Sequence, residues 1–381
     1  MKRNIADTTD KRVCAFVRIL FAVFLFLYFY ILQSDTLALV QHRLSEGRTV
    51  YHDLWGATIL TVLLTALQIL VQHLVQFRRL SVLLSFAPSA LLAVLLTAFL
   101  PGSSPAVPVL CLVLFLIWIP LCFASHRQKT GAPTGGGSPV SLLTSRLTQL
   151  LPVLAYIGIA GNTNDILHYE LQAARQLEAG KPEQALEAGR HSLATSPRLT
   201  ALRAYALSRT GTSLGDKLFE YPLPTGGAEI LLLRPADTLS TLFSPDSLSH
   251  LLRLRPRANG AARPYFEHAA QRSPDSAARD YWLCALLLDK DIDGFARELP
   301  KYYPVNDSTR LPLYYAQAIT LYQRLRTRPS ILWRHEAVRA NYRDFQETGR
   351  KYRNPTERSN QLRRIYGDTY WWYYFYGPHT P

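Results

Sequence analysis

The residue types that carry out most enzyme chemistry do not fall into a known catalytic motif in this chain. The 381 residues contain no HExxH, GxSxG or SxxK pattern, so no zinc-bound water, serine nucleophile or serine–lysine pair is indicated. The four cysteines lack CxxC and CxH spacing and predict neither a thiolate metal site nor a disulfide framework. We therefore predict no catalytic residue, no metal and no cofactor, and the sequence favours a protein that is not an enzyme.

Polar residues recur at helical spacing inside one apolar stretch. A polar face that contacts lipid is costly, so this face is expected to contact another helix or a wet cavity. We interpret it as a helix–helix contact, in which side-chain amides hydrogen-bond across a bundle for about 1 kcal/mol each. The members of this polar stripe are three or four residues apart: Thr61, Thr65, Gln68, Gln72 and Gln76.

A second cluster, of positive charge, lies near the C-terminus. Residues 324–364 contain twelve basic and four acidic side chains. They form either a solvated helix face or an anion-binding surface for lipid headgroups or an acidic envelope polymer. No recognised nucleic-acid motif accompanies the charge, so no nucleic acid is expected as a partner. The candidate anion-binding residues are Arg324, Arg334, Arg339, Arg343, Arg350, Lys351 and Arg353.

The composition indicates that these clusters belong to two parts with different surroundings. Hydrophobic residues make up 48% of the chain and charged residues only 18%, below the roughly 25% of soluble domains. Residues 1–161 contain 12 basic and 5 acidic side chains, whereas residues 162–381 contain 30 and 23. We therefore predict a membrane part, 1–161, followed by a water-exposed part, 162–381.

The membrane part contains five apolar stretches of about the 20 residues that a helical span needs. No small-x-small cleavage site follows the first stretch, so we interpret it as an uncleaved anchor. The fifth stretch contains Arg146, Gln149 and Pro152, and an amphipathic helix on the membrane surface is its alternative. The predicted spans lie near 13–32, 56–76, 80–100, 106–124 and 142–161.

The distribution of Lys and Arg predicts the orientation. Basic residues are concentrated in the N-terminal tail, in the turn 77–79 and just after the fourth span, which indicates a cytoplasmic N-terminus. With five spans, residues 162–381 lie outside the cytoplasm, in the periplasm of a Gram-negative bacterium; with four, they stay inside. The change from apolar 150–160 to polar 162–165 favours five spans and a multi-pass protein of the bacterial inner membrane.

Helical spacing also dominates after residue 165, so the whole chain is predicted to be all-α. Residues 166–197 resemble a tetratricopeptide repeat, in which small residues let two antiparallel helices approach, a glycine turns the chain and a proline ends the second helix. Several degraded helix pairs follow, and roughly three or more must stack to bury their apolar faces. The repeat-packing residues are Tyr169, Ala173, Gly180, Ala185, Leu186, Leu193 and Pro197.

Four features together resemble an uncharacterised family of bacterial multi-pass membrane proteins. They are the N-terminal spans, the repeat near residue 170, the segment LGDKLFEYP at 214–222 and the aromatic stretch Tyr370–Tyr376. The resemblance covers most of the chain but implies no activity.

The expected function is that of a membrane-anchored interaction or scaffold protein. Its helical-repeat module would bind a protein partner in the cell envelope, with membrane lipid and an anionic envelope polymer as further candidate partners. The alternative is a cell-envelope enzyme that acts on a lipid-linked or glycan substrate. For that chemistry the first outer loop offers the acids Asp35, Glu46 and Asp53.

Overall fold

The chain folds into helices that form two compact units. The computed structural model describes residues 2–75, 81–98, 106–127, 139–234, 242–255, 260–273, 275–306 and 309–378. Within these ranges the secondary structure is helical and contains no β-strand, which confirms the predicted all-α class. The N-terminal unit is Met1–Asn164 and the C-terminal unit is Asp165–Pro381.

The N-terminal unit consists of long apolar helices. Four described helices are long and apolar enough to cross a membrane: Lys11–Leu32, Asp53–Leu74, Ala106–Phe123 and Val140–Ala160. The last includes most of the stretch for which a surface helix was the alternative, whereas the stretch 80–100 contributes a shorter apolar helix, Val82–Ala98. The helices are α1 (Lys2–Leu27, continued by a π-helical turn Tyr28–Leu32), α2 (Ser34–Leu44), α3 (Asp53–Val75), α4 (Ser81–Ala98), α5 (Ala106–Arg127) and α6 (Pro139–Ala160).

Helix α4 lies at the centre of this unit and packs against α3, α5 and α6. Its Pro88 has no N–H to donate to the carbonyl of Leu84 one turn earlier. Trp118 of α5 supplies the missing bond, because its Nε1 donates to Leu84 O over 2.8 Å. Ser89 Oγ ties α4 to α3 by donating to Leu64 O over 2.7 Å. These two hydrogen bonds therefore satisfy polar groups of α4 and α3 across the bundle.

The C-terminal unit contains twelve described α-helices, and α13 is its centre. Every side chain from Tyr281 to Leu288 of that helix is buried. Two short 3-10 segments, Leu218–Glu220 and Gly227–Leu231, also belong to this unit. The α-helices are α7 (Asp165–Glu178), α8 (Pro182–Glu187), α9 (Pro197–Arg209), α10 (Leu214–Lys217), α11 (Asp246–Leu252), α12 (Ala262–Arg272), α13 (Ser276–Leu288), α14 (Ile292–Tyr302), α15 (Leu313–Leu325), α16 (Glu336–Arg350), α17 (Pro355–Tyr366) and α18 (Tyr370–Tyr376).

The segment that resembles a tetratricopeptide repeat starts with two packed helices. Ala173 and Ala185 are fully buried where α7 packs against α8. Gly180 has a φ of +71° in the turn between the two helices. Tyr169 and Leu186 are half-buried.

The second helix of the pair differs from the prediction. Helix α8 ends at Glu187, and Leu193 is 71% exposed instead of packed. Pro197 does not end a helix but is the first residue of α9, where the Ser196 side chain caps the helix by accepting from Leu199 N.

Two contacts explain the early end of α8. Gly189 has a φ of +61°, and the ring of Tyr169 lies where a Cβ of residue 189 would stand. The buried Arg203 of α9 donates from Nη2 to Ala188 O over 2.8 Å and to Gly189 O over 3.1 Å, so it satisfies carbonyls at the helix end. Burial also lowers the pKa of the Arg203 guanidinium to about 10.

A buried carboxylate joins four elements of this unit. Asp280 of α13 is only 4% exposed. Its Oδ1 accepts from the hydroxyls of Tyr303 over 2.6 Å and Tyr315 over 2.9 Å, and its Oδ2 accepts from Ser213 Oγ over 2.6 Å. Burial raises the pKa of Asp280, and the three hydroxyl donors oppose that shift. Because Ser213 also caps α10, the carboxylate fixes the start of the segment that leads to residues 219–225.

Gly180 and Gly189 both have a positive φ and give a matched pair of substitutions. Around Gly180 there is open space, so Gly180→Ala should cost only the left-handed backbone strain, about 1 kcal/mol. At Gly189 the new Cβ would lie 2.6 Å from Tyr169 Cδ2, so Gly189→Ala should cost about 2–4 kcal/mol. Urea unfolding of the full-length protein, followed by tryptophan fluorescence, measures the two losses of unfolding free energy. Equal losses in the two variants would contradict the contact between residue 189 and Tyr169.

Replacing Asp280 tests the buried carboxylate. Asp280→Ala removes the acceptor of three hydroxyls and should lower the free energy of unfolding by about 3 kcal/mol. Because the folded-state pKa is raised, the stabilisation from Asp280 is greatest below the unfolded pKa of about 3.9 and is lost as pH rises through the folded pKa. As pH rises from the unfolded to the folded pKa of Asp280, the unfolding free energy of the wild type should therefore fall relative to that of Asp280→Asn. A pH-independent difference in unfolding free energy would contradict this.

Candidate functional site

The C-terminal unit has an open groove of about 910 Å³. One wall is the segment 219–225, which includes the end of the LGDKLFEYP sequence. The other wall comes from the end of α17 and from α18. Its volume is near the upper end of the range for ligand pockets, roughly 300–1,000 Å³.

The groove combines exposed apolar side chains with charges of both signs. Leu193 is 71% exposed and Ile365 is 57% exposed, and both line it. Arg363 and Arg364 of α17 lie on its lining together with the acids Glu220 and Asp368. The groove thus offers apolar contacts beside groups that can pair with either charge.

The aromatic helix α18 is fixed from behind by hydrogen bonds to the core. Gln317 of α15 accepts from Tyr370 N through Oε1 over 2.8 Å and from Trp371 Nε1 through its backbone O over 2.9 Å. The Tyr373 hydroxyl donates to Leu288 O of α13 over 2.8 Å. Trp372 remains half-buried at the groove, with the Arg363 guanidinium 5.4 Å from its ring centroid. The aromatic run therefore forms one rigid wall.

The structure places a charged partner beside the polar stripe of α3. Arg18 of α1 donates from Nε to Gln68 Oε1 and from Nη2 to Gln72 Oε1, each over 3.0 Å. Gln68 Nε2 donates to Gln72 Oε1 over 2.9 Å and makes a longer contact of 3.4 Å with Ser85 Oγ of α4. The hydrogen bonds from Arg18 to these glutamines were not predicted, because they join residues 50 and 54 positions apart.

The stripe divides into two halves. Its glutamine half forms the network with Arg18, whereas the hydroxyls of Thr61 and Thr65 are buried without a hydrogen-bond partner in the part of the chain that the structure describes. Gln76 lies outside the described residues. Only the glutamine half can therefore be assigned to side-chain hydrogen bonds between helices.

The candidate anion-binding residues spread over two helices and the adjoining loops. Arg339, Arg343 and Arg350 are four and seven residues apart on α16, so they share one face. Arg343 pairs with Glu336 at 3.6 Å on the surface. The other members are Arg324 near the end of α15, Arg334 in the following loop, and Lys351 and Arg353 after α16. In the described ranges no group of three or more His, Cys, Asp or Glu side chains could hold a metal ion.

The two units define an all-α protein in which long apolar helices precede a polar helical unit. Residues 259–377 match the Family of unknown function (DUF6057). This similarity covers α12 to α18 and so includes the α17–α18 wall of the groove. No curated protein and no solved structure matches the chain.

The network around Arg18 predicts a stability effect inside the bundle. Gln68 is 1% exposed, so Gln68→Leu would leave Arg18 Nε without its acceptor. We expect a loss of about 1–3 kcal/mol in unfolding free energy. Thr144→Val is the control, because the exposed Thr144 hydroxyl donates only to Val140 O of its own helix. Thermal unfolding in detergent checks both; equal shifts would contradict a structural role for the network.

Proposed function

We propose that this protein is a membrane-anchored interaction protein whose C-terminal unit binds a segment of a partner protein. The observation that carries the proposal is the groove of about 910 Å³ with its exposed apolar residues. A side chain such as Leu193, 71% exposed beside a large cavity, gains stability when a partner covers it. The apolar helices of the N-terminal unit provide the anchor.

The helix pairs of the C-terminal unit support a repeat-like module similar to tetratricopeptide arrays. Helices α7 and α8 form one adjacent pair, and α13 and α14 form another with a tight turn at Lys290, whose φ is +56°. Modules of this kind present grooves to extended segments of other proteins. We place this module in the periplasm of a bacterium, on the basis of the five-span interpretation and the distribution of basic residues.

The lining of the groove defines the partner segment. Apolar side chains of the partner would contact Leu193 and Ile365, and a flanking acidic side chain would pair with Arg364 of α17. Residues 324–364, with twelve basic and four acidic side chains, add an excess of positive charge to this unit, which suits an acidic partner or envelope polymer.

The enzyme alternative has less support. Among the described residues, Glu46 pairs with Arg48 on the surface, and both side chains are about four-fifths exposed. Asp35 and Asp53 each stand in the first turn of a helix, where carboxylates stabilise the helix dipole. These placements suit structural roles and provide no enclosed acid–base pair.

Site-specific photocrosslinking in membranes tests the groove. A benzoyl-phenylalanine at position 365 should yield a reproducible partner adduct, whereas the same probe at Leu332 should not, since Leu332 is 68% exposed but does not line the groove. Adding Leu193→Asp to the position-365 probe should reduce the adduct about tenfold, the effect of a typical interface hot spot. Adding Leu332→Asp instead is the control and should leave the yield unchanged.

Two results would contradict the proposal. One is an adduct of equal yield at both probe positions, which would indicate nonspecific contact. The other is an adduct at position 365 that Leu193→Asp does not reduce, which would place the partner outside the groove.

A further inference from the structure

Arg18 is a charge within an apolar helix whose described acceptors are neutral. Its guanidinium is bound by the amide oxygens of Gln68 and Gln72, each at 3.0 Å. Among the residues that the structure describes, no carboxylate forms an ion pair with it. A cation at such a position is costly without an anion, and the usual reason for keeping one is a ligand.

The two glutamines that bind Arg18 also line a small cavity with a second arginine. Arg146 of α6 borders this cavity together with Gln68, Gln72 and Ser85. The cavity holds only about 10 Å³, which is no more than one water molecule. A larger anion must therefore meet the two half-exposed arginines from outside the bundle.

The exposed surface of α1 at this level of the helix is apolar. Phe16 and Ile19, two residues before and one residue after Arg18, are 51% and 63% exposed. A free anion in water has no affinity for such side chains, whereas the acyl chains of a lipid do. The combination of cation and apolar surface thus suits an amphiphile better than a soluble ion.

The hydrogen bonds of the cluster bring together one end of α1, α3 and α4. Arg18 is seven residues into the candidate span Lys11–Leu32, about 10 Å along the helix axis. Side chains in a helix lean toward its N-terminus, which brings the guanidinium back toward the membrane surface. Gln72 is close to the end of α3, and Ser85 is close to the start of α4. These positions fit the level at which lipid phosphates meet the hydrocarbon core.

We propose that Arg18 and Arg146 bind the phosphate of an anionic phospholipid in the leaflet where α1 enters the membrane. Guanidinium groups present paired N–H donors that match phosphate oxygens, and basic pockets between membrane helices bind anionic headgroups. Gln68 and Gln72 hold Arg18 in place for this contact. The inference rests on the proposed membrane anchoring and not on the groove of the C-terminal unit.

Native mass spectrometry of the full-length protein, released from nanodiscs that contain phosphatidylcholine and phosphatidylglycerol, tests this site. The wild type should retain phosphatidylglycerol in preference to phosphatidylcholine. Arg18→Gln and Arg146→Gln should each weaken that retention roughly fivefold, because each removes guanidinium donors that bind the phosphate directly. Arg12→Gln is the matched control, because Arg12 is an exposed cation six residues before Arg18 in the same helix, and its retention should be close to that of the wild type.

Three results would overturn the proposal. The first is equal retention of the two lipids by the wild type. The second is an equal loss of phosphatidylglycerol retention in Arg12→Gln and Arg18→Gln. The third is displacement of the lipid by millimolar inorganic phosphate, which would make free phosphate the ligand. If Arg18→Gln fails to fold, two other variants test the lipid site. Arg146→Gln removes the second cation, and Arg18→Lys keeps the charge at position 18. Arg18→Lys should then retain more phosphatidylglycerol than Arg146→Gln. Photocrosslinking at position 365 in the Arg146→Gln protein separates loss of the lipid site from loss of partner binding. The partner adduct should persist in this variant even though lipid retention falls.

Discussion

The C-terminal unit depends on one buried carboxylate. Asp280 accepts hydrogen bonds from Ser213, Tyr303 and Tyr315, and so connects the start of α10, the end of α14 and α15 to the central helix α13. Burying a carboxylate is unfavourable unless it is well hydrogen-bonded, and the three hydroxyls meet that condition. The arrangement leaves little freedom nearby, since a Cβ at Gly215 of α10 would lie 2.5 Å from the Tyr315 ring. Any packing that separates these elements would leave a carboxylate and three hydroxyls unsatisfied.

Two arginines of the same protein are satisfied less completely. Arg203 is buried, donates to two backbone carbonyls and lies 4.7 Å from the centroid of the Tyr221 ring, yet its Nε and Nη1 have no hydrogen-bond partner among the described residues. Burial alone explains why the pKa of Arg203 falls to about 10 while the group stays charged at neutral pH. Arg18 binds two amides that carry no charge. A guanidinium survives in such places because its charge is delocalised and weakly hydrated, which a lysine would not match.

Local sequence patterns were sufficient for the helical class and for part of the turn chemistry. The turn glycine at Gly180 and the small, buried Ala173 and Ala185 follow from residue type and spacing. The contacts around Arg18 and at the end of α8 were not predictable in this way. Arg18 meets Gln68 from 50 residues away, and Arg203 meets Ala188 and so ends α8 before Leu193 can pack. Periodicity shows which face of one helix is polar or apolar, but it does not show which distant side chain covers that face.

The shortened helices explain how the groove wall is held. After α7 the chain has only the six-residue α8 in place of a second long helix. After α9 it has the four-residue α10 and two 3-10 segments. Many backbone groups in these regions therefore lack helical hydrogen-bond partners. Acidic side chains connect these segments to the rest of the unit. Asp289 accepts from Ala228 N of the second 3-10 segment, Asp216 of α10 accepts from Leu313 N, and Glu229 accepts from Ala262 N, each over 2.8 Å. These bonds join segments 33 to 97 residues apart. Because they fix residues on both sides of 219–225, that wall of the groove is held by side chains from distant segments of the chain.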